Sequence, residues 1–175
     1  MTTIIDLVDF PHHAGGWINK HWYDRRYRNF INIVNENNQE GRNIIVFNNS
    51  DIYKHGTMKE LYHHATNVGF KWFEIQQRDV LASLSLMKNV KRSNTRIVCA
   101  GTNTKGCVYQ RARNWARLKF NVEINCKISH EYFTTGEDEY EKQISAVTQL
   151  YRMIEEDNLQ SYISITNEIK LVDNT

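Results

Sequence analysis

The three cysteines at positions 99, 107 and 126 carry the most nucleophilic side chains in the sequence. Cys107 follows a loop that contains Gly101 and Gly106, and it begins a predicted helix. Backbone amides and the partial positive charge at a helix start stabilise a thiolate, and the same amides can bind an oxyanion formed at a carbonyl carbon. Free cysteines are also among the most buried residues. Cys107 is therefore either a nucleophile or a small core residue, whereas Cys99 and Cys126, inside predicted strands, favour the core.

Short β-branched runs alternate with segments whose apolar residues repeat at helical spacing, which predicts an α/β fold with a mainly parallel sheet. The predicted strands are Ile4–Val8, Ile44–Phe47, Phe70–Ile75, Arg96–Ala100, Val122–Cys126 and an edge candidate, Tyr162–Ile165. Between them lie five predicted helical segments: the stripe from Tyr23 to Val34, Thr57 to Gly69, a helix capped by Asp79, Cys107 to about Lys119, and Glu137–Glu156. Since Arg96–Ala100 is almost entirely small and apolar, we expect it at the centre of the sheet.

Composition excludes several classes of protein. Twenty-two Lys and Arg against twenty Asp and Glu give a net charge of +2, which does not favour a general nucleic-acid binder. The longest apolar runs are as short as strands, far below the roughly 20 residues of a membrane span. The beginning of the chain lacks the basic residues of a secretory signal, so we expect a single domain, residues 1–175, in the cytoplasm of the producing or host cell. Frequent Asn and a single Pro hint at a phage, virus or AT-rich microbe.

Polar residues follow the predicted strands at the edge where an open parallel sheet binds its ligands. These candidates are Asp6 and Asp9, Asn48 to Asp51, Glu74, Gln76 and Gln77, Gly101 to Cys107, and Lys127, Ser129 and His130.

Residues 97–113, IVCAGTNTKGCVYQRAR, resemble the segment around the nucleophile of isochorismatase-like cysteine hydrolases, a superfamily that includes nicotinamidases and carbamoyl hydrolases. In that pattern a strand ends in Gly, a Thr follows three residues later, and Cys-Val opens a helix. The matching residues are Gly101, Thr104, Cys107, Val108 and Ala112. A first strand that leads to Asp6 extends the resemblance weakly over nearly the whole chain, and the composition fits a divergent phage or viral member.

The resemblance implies a three-layer, Rossmann-like fold with a six-stranded, mainly parallel sheet and helices on both faces. It also implies an Asp, Lys and Cys triad, in which Asp6 takes the thiol proton and Cys107 is the nucleophile. The Lys has no match, because the family spacing leads to Glu74 and Lys71 lies at the beginning of the same strand. A carboxylate beside a thiol raises its pKa, where a Lys lowers it. Lys127 is a second candidate for the missing positive charge.

We therefore expect a cysteine hydrolase that acts on a small amide or related C–N bond. The expected catalytic residues are Cys107, Asp6 and Glu74, and the expected substrate-binding residues are Thr104, Gly106, Asp51 and Lys127. The amides around Gly106 and Cys107 would bind the oxyanion. The alternative is a catalytically degenerate member that lacks the triad Lys and binds a small ligand or a protein partner without turnover.

Asp51 and His55 lie where nicotinamidases of the family place zinc-type ligands, but their spacing is wider than the family's Asp-x-His. Solvated loop side chains explain them better, so we predict no metal and no cofactor. Because family members are commonly dimers or larger, we expect a homo-oligomer with a small-molecule substrate and no membrane contact.

Basic residues in the segment after Cys107 suggest a different class of function. Together with Trp115, this basic set comprises Arg111, Arg113, Arg117 and Lys119. Such a helix face can bind nucleic acid, but a solvated surface fits the near-zero net charge better, so we predict no nucleic-acid partner.

Overall fold

The computed structural model describes residues 1–8, 20–48, 71–74, 90–129, 131 and 138–166. The strands are β1 (Thr2–Val8), β2 (Asn43–Asn48), β3 (Lys71–Glu74), β4 (Thr95–Gly101), β5 (Asn121–Asn125) and β6 (Ile163–Thr166). The α-helices are α1 (Lys20–Gln39), α2 (Tyr109–Arg117) and α3 (Glu139–Glu156). A 3-10 turn, Arg92–Asn94, precedes β4, and a π-helical turn, Thr104–Val108, leads into α2.

The six strands form one sheet in the order β3-β2-β1-β4-β5-β6, and every neighbouring pair is parallel. This confirms the predicted α/β class, the parallel sheet, the central position of β4 and the edge position of β6. From β1 the chain adds β2 and β3 on one side, and from β4 it adds β5 and β6 on the other side. The switch point of the sheet therefore lies between β1 and β4. In such sheets the crevice beyond the carboxyl ends at the switch point is the usual ligand site.

Successive residues of a strand face opposite sides of the sheet, and both sides of β1 are covered. Ile5 and Leu7 pack with Phe30 and Val34 of α1 on one side. The other side of the sheet packs against α2 and α3, through residues that include Ile4, Val8, Ile97, Ala112, Trp115, Val147 and Leu150. Asp6, between Ile4 and Val8 in alternation, therefore lies on the side covered by α2.

Asp138 directly precedes α3 and caps it, because its side chain accepts hydrogen bonds from the amides of Tyr140 and Glu141. Helical spacing predicts a buried stripe of Tyr140, Ile144, Val147, Tyr151 and Ile154 on this helix, and that prediction is only partly right. Val147 and Ile154 are buried, but Tyr140 and Tyr151 are 51% and 48% exposed. The buried stripe is centred instead on Gln143, Ala146 and Leu150, because Tyr has an apolar ring and a polar hydroxyl and so tolerates the boundary with solvent.

Two predicted helices, Thr57 to Gly69 and the one capped by Asp79, lie outside the described residues. Among the helices that the structure describes, none has the length and apolar character needed to cross a bilayer.

Gly101 is the last residue of β4, and it pairs with Val8 of β1 at the switch point. Its φ is +131°, and a Cβ at this position would lie 1.8 Å from the carbonyl oxygen of Val8. That same oxygen accepts a hydrogen bond of 2.7 Å from the amide of Thr102. Only a residue without a side chain allows this approach, which fixes where the loop after β4 begins.

We predict that Gly101→Ala lowers the free energy of unfolding by at least about 3 kcal/mol, because the methyl group overlaps the Val8 carbonyl and the backbone is strained. Gly41→Ala is the control, since Gly41 also has a positive φ (+64°) but open space around its Cα. This variant should cost only about 1 to 2 kcal/mol. Urea unfolding measures both, and equal costs would contradict the close contact at Gly101.

Candidate active site

The carboxylate of Asp6 is buried in the centre of the sheet and is held by two side chains of α2. Asp6 is 1% exposed, and its Oδ2 accepts hydrogen bonds from Arg111 Nε at 2.8 Å and from Trp115 Nε1 at 2.7 Å. Arg111 is 4% exposed and Trp115 is fully buried. Asp6 Oδ1 is also buried, and it has no hydrogen-bond partner among the described residues. Among the described residues, Oδ2 of Asp6 therefore has two donors and Oδ1 has none.

Cys107 lies in the π-helical turn between β4 and α2. Its side chain is half-buried and packs against the core on the α2 side of the sheet. Arg111 and Trp115 of α2 are four residues apart and share the face of that helix that contacts Asp6. Cys107 lies four residues before Arg111, in the π turn, and packs against the core on the same side of the sheet. Short π segments at the start of α-helices are frequent at functional sites.

The loop around Cys107 is tightly folded on Asn103. Asn103 has a positive φ of +61°, and its carbonyl accepts hydrogen bonds from the amides of Gly106 (3.0 Å) and Val108 (3.2 Å). A Cβ on Gly106 would lie 2.7 Å from the Asn103 side chain, so Gly106 makes room for that side chain. Thr104 is completely buried, and its hydroxyl has no hydrogen-bond partner within the described part of the chain.

Glu131 lies after β5, beside the same turn. It is buried, and its Oε1 accepts a hydrogen bond of 2.6 Å from the amide of Lys105. Burial raises the pKa of Glu131 above its ordinary value of 4.5, while the hydrogen bond from Lys105 and the charges of Lys105 and Lys142 oppose that rise. A buried carboxyl group thus fixes the beginning of the segment that carries Cys107.

The other two cysteines are core residues, as predicted. Cys99 and Cys126 are both buried. Burial raises the pKa of the Cys99 thiol well above 9.0, and the charge of Asp6 adds to this rise. Burial also raises the pKa of Cys126 to about 12. Neither thiol is suited to nucleophilic chemistry near neutral pH.

No protein-family model and no curated protein matches the sequence. Solved structures do match, at low identity and over most of the chain. A nicotinamidase from Staphylococcus aureus is 13% identical with a TM-score of 0.61, over 94% of this chain and 100% of that one. An isochorismatase family protein from Desulfovibrio vulgaris is 11% identical with a TM-score of 0.55, over 87% and 90%. The chain has the isochorismatase-like fold.

A ribonuclease from Caenorhabditis elegans also matches, at 13% identity with a TM-score of 0.54, over 86% of this chain and 73% of that one. Proteins with different activities in their names thus share this architecture. The fold fixes where a site lies, and the side chains at that site decide the chemistry.

Residues that pair across neighbouring strands form a row of the sheet. Glu74, the predicted third catalytic residue, is not in the row of Asp6. Asp6 pairs with Phe47, which pairs with Phe73, whereas Glu74 pairs with Asn48 in the row of Leu7. The side chain of Glu74 lies outside the described residues, as do Asp51 and His55. In the described ranges no group of three His, Cys, Asp or Glu side chains is arranged to bind a metal ion.

Lys127 lies just beyond the carboxyl end of β5. Its amide donates to Asn125 Oδ1 at 3.0 Å, and its carbonyl accepts from Asn29 Nδ2 of α1 at 3.0 Å. Its backbone is therefore tied to the side of the sheet that α1 covers, whereas Asp6 and Cys107 lie on the side that α2 covers.

Arg111 was expected on a solvated basic face, and this interpretation is wrong. Arg111 is buried against Asp6, while Arg113 and Arg117 lie 3.5 and 3.6 Å from the carboxylate of Asp157 at the end of α3. The spacing of Cys107, Arg111 and Trp115 was the available signal in the sequence. It was missed because arginines on a helix are usually solvated.

The buried carboxyl of Glu131 predicts a pH dependence of stability. Because its pKa is raised in the folded protein, the folded state holds this proton more tightly than the unfolded chain, and the free energy of unfolding falls as pH rises from about 4.5 through the raised value. Glu131→Gln cannot titrate but keeps an acceptor for the Lys105 amide. Its stability relative to the wild type should therefore rise with pH across this window.

Urea unfolding of both proteins between pH 4 and 7 measures this difference. Glu36→Gln, on an exposed position of α1, is the control for the change in net charge. A stability difference between Glu131→Gln and the wild type that stays constant over the whole range would contradict the prediction.

Proposed function

We propose that the protein is an isochorismatase-like cysteine hydrolase that cleaves a small amide or related C–N bond, with Cys107 as the nucleophile. The observation that carries the proposal is the position of Cys107, half-buried in the turn after β4 and packed against the side of the sheet on which Asp6 lies. A nucleophile needs access to substrate and a nearby proton acceptor. Among the three cysteines of the chain, only Cys107 is not buried.

In the proposed reaction, the thiol proton of Cys107 passes to Oδ1 of Asp6, and the sulfur forms a bond to the carbonyl carbon of the substrate. The C–N bond then breaks, and the proton returns from Asp6 to the leaving nitrogen. Water then attacks the resulting thioester and gives a proton to Asp6, the C–S bond breaks as that proton passes to the Cys107 sulfur, and a carboxylic acid leaves. Oδ1 takes this role because Oδ2 already accepts two hydrogen bonds, from Arg111 and Trp115.

Amides around Gly106 and Cys107 are the proposed oxyanion donors. The amide of Gly106 donates to the carbonyl of Asn103 in the described structure. It therefore serves the oxyanion only when substrate replaces that bond. The hydroxyl of Thr104, buried in the same turn, is proposed to bind the substrate.

The remaining assignments from the sequence stay predictions. They are a third catalytic role for Glu74, substrate contacts of Asp51 and Lys127, a single domain, a homo-oligomer, a cytoplasmic location and the absence of metal and cofactor.

The second candidate function is ligand or protein binding without turnover. The observation that favours it is the ion pair of Asp6 with Arg111 and its hydrogen bond from Trp115. A buried carboxylate with such partners is also typical of a purely structural ion pair in a protein core. The two functions differ in the reactivity of Cys107.

Iodoacetamide should label Cys107 selectively in the folded protein, because the other two thiols are buried and have raised pKa values. At pH 7 we expect the rate at Cys107 to exceed that of Cys99 in the urea-denatured chain by about tenfold, since an active site stabilises the thiolate. Peptide mapping by mass spectrometry measures both rates. A rate at Cys107 no faster than that of denatured Cys99 would favour binding without turnover.

Hydrolysis itself is tested by ammonia release from nicotinamide, pyrazinamide and N-carbamoyl amino acids. We expect Cys107→Ala to reduce kcat/KM by at least about a thousandfold, because the covalent route is lost. Cys126→Ala, a change at a buried cysteine that packs in the core, is the matched control and should keep the activity. Equal rates for wild type and Cys107→Ala on every substrate that turns over would contradict Cys107 as the nucleophile.

A further inference from the structure

The described structure contains a buried cation next to Asp6, and it comes from α2. The Arg111 side chain is almost fully buried, and its Nε lies 2.8 Å from Asp6 Oδ2. An Arg guanidinium keeps its charge when it is buried, whereas a buried Lys readily loses its proton. A permanent positive charge thus lies beside the carboxylate on the central strand.

Arg111 also lies four residues after Cys107 in the chain. The π turn continues into α2 without a break, because the amide of Tyr109 donates to the carbonyls of Gly106 and Thr104. Cys107 packs against the core on the side of the sheet that α2 covers, the side on which Asp6 lies. One guanidinium group is therefore close in the chain to the proposed nucleophile and in contact with the proposed base.

We propose that Arg111 takes the place of the triad Lys, whose expected position is occupied by Glu74, as a positioning residue for Asp6 and Cys107. Its Nε fixes the carboxylate through Oδ2 and leaves Oδ1 for the thiol proton. Its charge offsets that of Asp6, so that a thiolate at Cys107 does not face an uncompensated carboxylate. This inference rests on the proposed role of Cys107 as nucleophile.

The environment of Cys99 supports this electrostatic role. Cys99 pairs with Asp6 across β1 and β4 and so lies in the same row of the sheet. Burial is the main cause of its raised pKa, and among the charges Asp6 raises it further while Arg111 lowers it. At a thiol next to Asp6, the charge of Arg111 thus acts against the charge of the carboxylate.

The pH profile of Cys107 alkylation tests the proposal. Arg111→Met removes the charge, and Arg111→Lys restores it. Trp115→Phe is the matched control, because it removes the other donor to the same carboxylate oxygen and keeps the charge. Urea unfolding establishes which variants are folded at the assay temperature, and Arg111→Gln replaces Arg111→Met if the latter is not.

We expect the pH midpoint of alkylation to rise by about one unit or more in Arg111→Met, a tenfold loss of rate on the acid side, because the thiolate loses a neighbouring cation. Arg111→Lys should bring the midpoint most of the way back to the wild-type value, and Trp115→Phe should leave the midpoint at the wild-type value. The elements packed against the π turn, β1, β4, α2 and α3, carry further charged or titratable groups, among them Asp6, Cys99, Tyr109, Arg113 and Lys142, and Lys105 and Glu131 lie at the turn itself. These variants leave all of them in place.

A midpoint that is the same in wild type, Arg111→Met and Trp115→Phe would overturn the proposal and leave Arg111 as a structural ion-pair partner. Equal shifts in Arg111→Met and Trp115→Phe would overturn it too, because they would reflect loosening of Asp6 and not loss of charge. Alkylation needs no turnover. A charge-dependent shift without amide hydrolysis would therefore support the role of Arg111 and reject the hydrolase. Hydrolysis without the shift would support the hydrolase and reject the role of Arg111.

Discussion

The ion pair between Asp6 and Arg111, shared with the indole of Trp115, is the contact on which the arrangement of this protein depends. A carboxylate in the middle of a buried strand is stable only when its charge and its oxygen atoms are matched. Losing one partner of such a pair typically costs about 3 to 5 kcal/mol, as much as losing a large core side chain. Because both partners of Asp6 lie on one face of α2, this requirement also sets the rotation of the helix and, through it, the position of Cys107.

Most of the sheet could be predicted from the sequence, since strands covered on both faces need nearly continuous apolar residues. Arg96–Ala100 and Ile4–Val8 show this and are the central strands. The rotation of α3 was harder to predict, because tyrosines are compatible with core and surface alike. The partners of Asp6 were not predicted at all, since nothing local to Arg111 indicates which strand its helix will cover. The i, i+4, i+8 spacing of Cys107, Arg111 and Trp115 carries that information only when the position of Asp6 is known.

The register of the sheet explains why the third member of the triad was difficult to assign. Counting along the chain leads to Glu74, but pairing across the strands puts Glu74 in the row of Leu7 and Phe73 in the row of Asp6. A difference of one residue changes the side of a strand on which a side chain lies. Sequence spacing alone cannot fix that alternation over long connections, whereas a helix that follows its strand after a short loop, as α2 follows β4, keeps its geometry.

The nucleophile and its cation lie in one short continuous segment, and this has a consequence for how the site can change during evolution. Insertions in the long connections around β3 leave the distance between thiol and guanidinium untouched. A single inserted residue between positions 107 and 111 would turn one group away from the other by about 100° around the helix axis. Natural variation in length should therefore be tolerated in the connections around β3 and not within residues 107–111.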